Sequence, residues 1–218
     1  MNTIKPEISG HSIVFRGNFN TRIFQPSWFA GEGIIRKTES DNADIEVIHR
    51  DISIFSIGWL RLQVTQDSFN ASTTQEPYFE IMRDFAISTF EVLVHTPIKM
   101  MGINFDMHVR ISNEESFDRF INGFILNSMA SSVFNEPSLS SYVISDKRLS
   151  SYKGQVKIKL EKSTKLDRGL YISINDHFEA ENIESVLGAK EMLLILKNEW
   201  ESSYSRSFHY YESILEII

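Results

Sequence analysis

At 218 residues, with 42% hydrophobic side chains and sixteen Phe, the chain has the composition of a folded globular protein rather than a disordered one. It contains no Cys, which excludes disulfides, thiol catalysis and thiolate metal centres and leaves Ser, Thr, Lys or a carboxylate as the available nucleophiles. The formal charge of −7 argues against nonspecific coating of nucleic acid. No N-terminal signal pattern or membrane-length apolar run is visible, so a cytoplasmic location without membrane attachment is expected.

His11 to Phe15 alternates polar and apolar side chains and suits a first strand, and Pro26 marks a short helix start. Ile45 to His49, Ile52 to Ile57, Trp59 to Thr65 and Ser68 to Thr74 are β-branched or aromatic runs. They are broken by Arg50-Asp51, Gly58 and Gln66-Asp67, the pattern of an antiparallel meander. From Pro77 the period becomes helical, with Met82, Phe85, Ala86, Thr89, Phe90 and Leu93 on one face until Pro97. Ile98 to Ile111 returns to strand. Ser112-Asn113-Glu114-Glu115 reads as a capping box opening a helix with Phe117, Phe120, Ile121 and Phe124 on one face.

Tyr142 to Ser145 is a candidate strand, and Val156 to Lys162 with Leu170 to Phe178 predicts a hairpin whose Val156, Ile158 and Leu160 face inward. The closing helix, Ala189 to Ile217, carries Leu193, Leu196, Trp200, Tyr204, Phe208, Tyr211 and Leu215 at helical spacing. At roughly 1.5 Å per residue its length approaches the width of the domain, so part of it is expected to project. The fold class is therefore α+β: mainly antiparallel sheet covered by helices, with a long C-terminal helix. A single domain is expected, divisible into two packed halves, 1–134 and 135–218. A loose internal likeness, Ile103-Asn104-Phe105-Asp106-Met107-His108 against Ile174-Asn175-Asp176-His177, raises the idea of a duplication.

Asn104, Asp106 and His108 alternate along one strand and so share a face, where they form either an acid/base or metal cluster or a plain polar surface. Asn175 and His177 join them if the two strands are neighbours, which makes Asp106, His108 and His177 the candidate metal ligands. No phosphate-loop, dinucleotide, nucleophile-elbow or His-Glu-x-x-His pattern occurs, and no cofactor is indicated. Between Lys147 and Arg168 eight basic residues face two acids. Lys153, Lys157, Lys159 and Lys162 form either a phosphate or nucleic-acid surface, with that of a metal-dependent nuclease among the alternatives, or a charged guard on a sheet edge. The apolar chain end, with Tyr204, Phe208, Tyr211, Leu215 and Ile218, is the candidate protein-docking surface, for another protein or a second copy of the chain.

Four segments carry a family resemblance: Trp59 to Thr65, Gln75 to Glu80, His95-Thr96-Pro97-Ile98 with Met101-Gly102-Ile103-Asn104, and Ile174-Asn175-Asp176-His177-Phe178-Glu179. With these the chain resembles a sporadically distributed family of uncharacterised bacterial proteins without an established activity, so no catalytic residue is carried over. The resemblance implies a bacterial protein in an anti-phage defence or toxin–antitoxin-like setting, while the missing catalytic signatures and the apolar C-terminal end lead to the expectation of a non-enzymatic interaction protein.

Overall fold

A computed structural model describes residues 5–123, 133–148 and 151–218. Among them the strands are β1 (Ile8–Gly17), β2 (Asp44–Ile48), β3 (Ile52–Ile57), β4 (Leu60–Thr65), β5 (Ser68–Thr73), β6 (Ile98–Arg110), β7 (Tyr142–Lys147), β8 (Gly154–Lys162) and β9 (Gly169–Glu179). The helices are α1 (Pro26–Gly31), α2 (Lys37–Asp41), α3 (Phe79–Val92), α4 (Glu114–Gly123) and α5 (Lys190–Ile217). All nine strands join one sheet in the order β2-β3-β4-β5-β1-β6-β9-β8-β7, with antiparallel pairing throughout. The expected α+β class with a long C-terminal helix is the fold observed.

Strand alternation sorts the side chains. His11, Ile13 and Phe15 of β1, Ile103 and Phe105 of β6, and Ile172, Ile174 and Phe178 of β9 point to one face and are buried there. The helices cover that face. In the first half the core is largely aromatic: Phe69 meets Phe90 edge-on at 4.9 Å, and Phe15 meets Phe90 at 5.1 Å. In the second half α5 supplies Met192, Leu193, Ile195, Leu196 and Trp200.

The topology contains a repeat, but not at the expected place. β1, β3–β5 and α3 are matched by β6, β7–β9 and α5, and the sheet order reads outward symmetrically from the β1–β6 seam. The division therefore falls between α3 and β6, near Pro97, rather than at residues 134 and 135. The two Ile-Asn segments are not equivalent positions of this repeat. They are cross-strand neighbours, with Asn104 opposite Asn175 and Ile103 opposite Asp176. α3 and α5 touch through Lys197–Glu91 (2.6 Å) and Arg83–Glu201 (3.7 Å).

Two further expectations are corrected. Asn113, not Ser112, caps α4, since its Oδ1 accepts the Ser116 N–H at 3.2 Å; Phe117 and Ile121 are buried, and Phe124 lies outside the described residues. The closing helix lies along the sheet rather than projecting: Tyr211 is fully buried, and Ile214, Leu215 and Ile218 pack against the core.

A buried ionic cluster fastens α5 to the sheet. Asp176 of β9 faces the helices and accepts from Arg148, from Arg206 at 2.7 Å and from the Ser203 hydroxyl at 2.5 Å. Glu199 accepts from Arg148 at 3.2 Å, and the Arg148 guanidinium carbon stands 3.6 Å from the centre of the Phe178 ring. Burial pulls the Arg148 pKa down against the opposing pull of Asp176.

Candidate functional site

The face of the sheet turned away from the helices is built by the other half of each alternation. Its register aligns one residue from every strand in a single row: Asp44, Ser56, Arg61, Ser72, Ser12, Asn104, Asn175, Lys157 and Ser145. Every member is polar. At roughly 4.8 Å between strands the row runs about 38 Å across the molecule.

The centre of the row is tied together. Asn104 donates to the Ser12 hydroxyl at 3.0 Å, and Asn175 donates to the Asn104 carbonyl oxygen. Gly102 makes this possible, because a Cβ there would stand 2.7 Å from the Asn175 amide nitrogen. Each carboxamide offers two donors and an acceptor with two lone pairs, so the linked amides keep capacity for a further partner. The result is a neutral, oriented hydrogen-bonding strip flanked by Arg61 and Lys157.

On the side of the row nearer Gly10, the same face opens into a cavity of about 460 Å³ bounded by Ser12, Ser72, Arg61, Asp106, His108 and Lys165. Here the candidates read from the sequence can be located. The Ser163 hydroxyl oxygen accepts the backbone N–H groups of Lys165 and Leu166. Its own proton therefore goes to His108 Nδ1, 2.8 Å away, which leaves the proton of the neutral ring on Nε2. Burial lowers the His108 pKa, with a further push from Lys165 and a weaker opposing pull from Asp106. Asp106 accepts the Tyr171 hydroxyl at 2.5 Å, and burial together with that bond pushes Tyr171 up to about 12.

β6 and β9 are neighbours, so the condition for Asn175 and His177 to join Asp106 and His108 is met. Asn175 does join Asn104. His177, however, sits opposite Gly102, four positions along β6 from Asp106 or roughly 13 Å, and pairs with Glu179 at 3.3 Å. The candidate ligands Asp106, His108 and His177 are thus not brought together. Among the described residues no group of three or more His, Asp or Glu side chains is placed to hold a metal ion.

The lysines of the hairpin also divide. Lys157 and Lys159 lie on the open face, where Lys147 joins them across β7. Lys153 binds Glu181, and Lys162 is in register with Leu170 and so belongs to the helix side. Several cations of the face already hold carboxylates: Arg16 with Asp67, Arg61 with Glu46, Arg110 with Glu7, and Lys159 with Glu161. The helices, by contrast, contain thirteen acids and six bases, an excess equal to the charge of −7 of the whole chain. Strands and loops together are therefore formally neutral.

Of the expected docking residues, Tyr211 is part of the core, Tyr204, Leu215 and Ile218 are half-buried against it, and the half-buried Phe208 ring stands 6.0 Å from that of Tyr211. Of the apolar side chains in the last turn of α5, Ile217 is the exposed one, at 76%. The polar row escaped the sequence reading because it depends on eight strand registers, although the alternation of Ser12, Asn104 and Lys157 with apolar neighbours was its local trace. No helix of the described residues is long and apolar enough to cross a membrane. Comparison of the chain with models of known protein families and with curated proteins finds no match.

Proposed function

We propose that this protein works by binding another protein, and that the partner lies across the open face of the sheet rather than on the end of α5. The observation that carries this reading is the polar row, with its tied Ser12, Asn104 and Asn175. Fixed amides and hydroxyls suit the N–H and C=O groups and neutral polar side chains of a polypeptide, and Lys147 and Lys157 favour one that carries carboxylates at that end. Nucleic acid fits less well. Six to ten phosphate contacts need about as many available cations, whereas Arg16, Arg61, Arg110 and Lys159 are already paired. The aromatic ring of Tyr171 is half-buried and its hydroxyl is tied to Asp106. A bacterial defence or toxin–antitoxin-like setting belongs to the same proposal and rests on the family resemblance.

The test is site-specific photocrosslinking in the cells that produce the protein, with the crosslinker at Lys157 on the open face and, as a control, at Leu187, which is 86% exposed outside it. One discrete protein adduct at Lys157, absent at Leu187 and abolished by Asn175→Arg, is the expected result. The adduct partner, once purified, should bind wild type and not the Asn175→Arg variant. Equal adducts at both sites, a nucleic-acid adduct, or none at all refutes the proposal.

A further inference from the structure

A second cavity lies on the opposite, helix-covered side, between β1, β6, the start of α3 and the middle of α5. It encloses about 180 Å³ and is lined by His11, Phe79, Phe105, Tyr204, Ser207 and Phe208, with Lys5 and Glu76 also at its wall. The size is informative. It is below the ~300 to 1,000 Å³ of pockets for drug-sized molecules and close to the ~150 Å³ of an engineered apolar cavity that admits benzene.

His11 is the unusual member of this wall. It is 5% exposed, stacks on Phe79 with ring centres 3.5 Å apart, and meets Phe105 edge-on at 3.9 Å. Burial lowers its pKa to about 3, so the ring is neutral at physiological pH and carries one N–H and one lone pair. Its Nδ1 is buried without a hydrogen-bond partner. A buried polar atom left unpaired is destabilising, and natural cores seldom keep one without use. An apolar core would be served better by Phe or Leu at this position.

The space exists because α5 changes character there. Its core-facing positions run Leu196, Trp200, Ser203, Ser207 and Tyr211, and while Ser203 is engaged by Asp176, Ser207 borders the cavity with a small side chain. Ser9 and Gly10 of β1 are likewise small and line the same volume. Two faces of small residues therefore frame a slot whose remaining walls are aromatic.

We propose that this slot is a binding site for a small monocyclic aromatic molecule bearing a hydroxyl, amino or ring-nitrogen group. Its ring would lie among Phe79, Phe105, Tyr204 and Phe208, and its polar group would bond the His11 imidazole. Ser9, Gly10 and His11 also border the cavity on the open face, but none of them belongs to the polar row, so the site stands or falls separately from the partner-binding proposal.

Phenol, which has a ring and a hydroxyl, and benzene, which has the ring alone, are the probes. Titration of wild type, followed by saturation-transfer NMR of the probe and by the imidazole nitrogen shifts of ¹⁵N-labelled protein, should give saturable phenol binding. A hydrogen bond worth about 1 kcal/mol makes benzene roughly five- to tenfold weaker. His11→Phe should abolish that preference, and Ser207→Leu should abolish binding of both, while Ser207→Ala retains it. If Ser207→Leu does not fold by circular dichroism, Ser9→Leu blocks the slot from the strand side. Absence of phenol binding to wild type, equal affinity for the two probes, or undiminished binding after a folded blocking substitution overturns the proposal.

Discussion

Replacing Asp176 by Ala removes the centre of the ionic cluster beneath α5. The Asp176 side chain is 2% exposed and accepts from two guanidinium groups and a hydroxyl, so its loss leaves Arg148, also 2% exposed, and Arg206 sharing the single carboxylate of Glu199. Breaking a buried pair from one side costs about 3–5 kcal/mol, because the surviving charge stays out of water. Arg206 is 29% exposed and can turn toward solvent, so the lower half of that range is expected. With a urea slope near 2 kcal/mol/M the unfolding midpoint should fall by roughly 1.5 to 2 M. Asp176→Leu combined with Arg148→Met removes both charges and should recover much of the loss, since an apolar replacement of a buried pair is often neutral. A single-variant loss below about 1 kcal/mol, or a double variant no more stable than Asp176→Ala, would refute the account of the cluster as a desolvated, mutually dependent set.

Other expectations are smaller in scope. His11 has a folded-state pKa near 3, below its ordinary value of about 6.5, so the unfolded chain takes up a proton that the folded one refuses. Stability should therefore drop as pH falls below about 6.5, by on the order of 1 kcal/mol per unit from this group, and His11→Phe should show a shallower slope in urea melts from pH 7 to 5; equal slopes would count against it. Gly154 has φ of +147° and a Cβ there would stand 1.9 Å from the His177 carbonyl oxygen, so Gly154→Ala should lower the thermal midpoint by several degrees and loosen β8 from β9 in amide exchange. Asn113→Ala deletes the cap of α4 and should cost about 1 kcal/mol in denaturant melts, whereas Ser112→Ala should cost almost nothing. Lys157→Glu on the open face should leave stability within about 0.5 kcal/mol of wild type while reducing capture of the crosslinked partner.

Local chemistry was readable from the sequence wherever one strand or helix sufficed. The inward set Val156, Ile158 and Leu160, the α3 stripe of Met82, Phe85, Ala86 and Phe90, and the shared face of Asn104, Asp106 and His108 follow from periods of 2 and 3.6 and recur in the structure. What depended on register was not readable. Nothing local places Ser12 beside Asn104, 92 positions away, or Arg148 and Arg206 on the carboxylate of Asp176. The cap of α4 shifted by one residue because Ser112 and Asn113 are both competent caps and only backbone geometry chooses between them. The end of α5 misled for another reason: an apolar stripe of Tyr204, Phe208 and Tyr211 looks the same whether its partner is another chain or the protein's own sheet.

The seam between β1 and β6 bears on how the sheet must be assembled. β1 pairs on one side with β5 and on the other with β6, whose partner residues lie about 80 to 100 positions later in the chain. During synthesis the first half can close β5 onto β1 long before β6 emerges, leaving the far edge of β1 as an open ladder of N–H and C=O groups. Such an edge invites pairing with any passing strand, and its residues Ile8, Val14 and Phe15 add apolar surface. Closing the loop from β1 to β6 precedes the reward of their contacts, which places this protein among slower, nonlocal folders. The middle of the finished sheet is thus an open edge until β6 arrives, and a chain stopped near Pro97 should aggregate where the 218-residue chain does not.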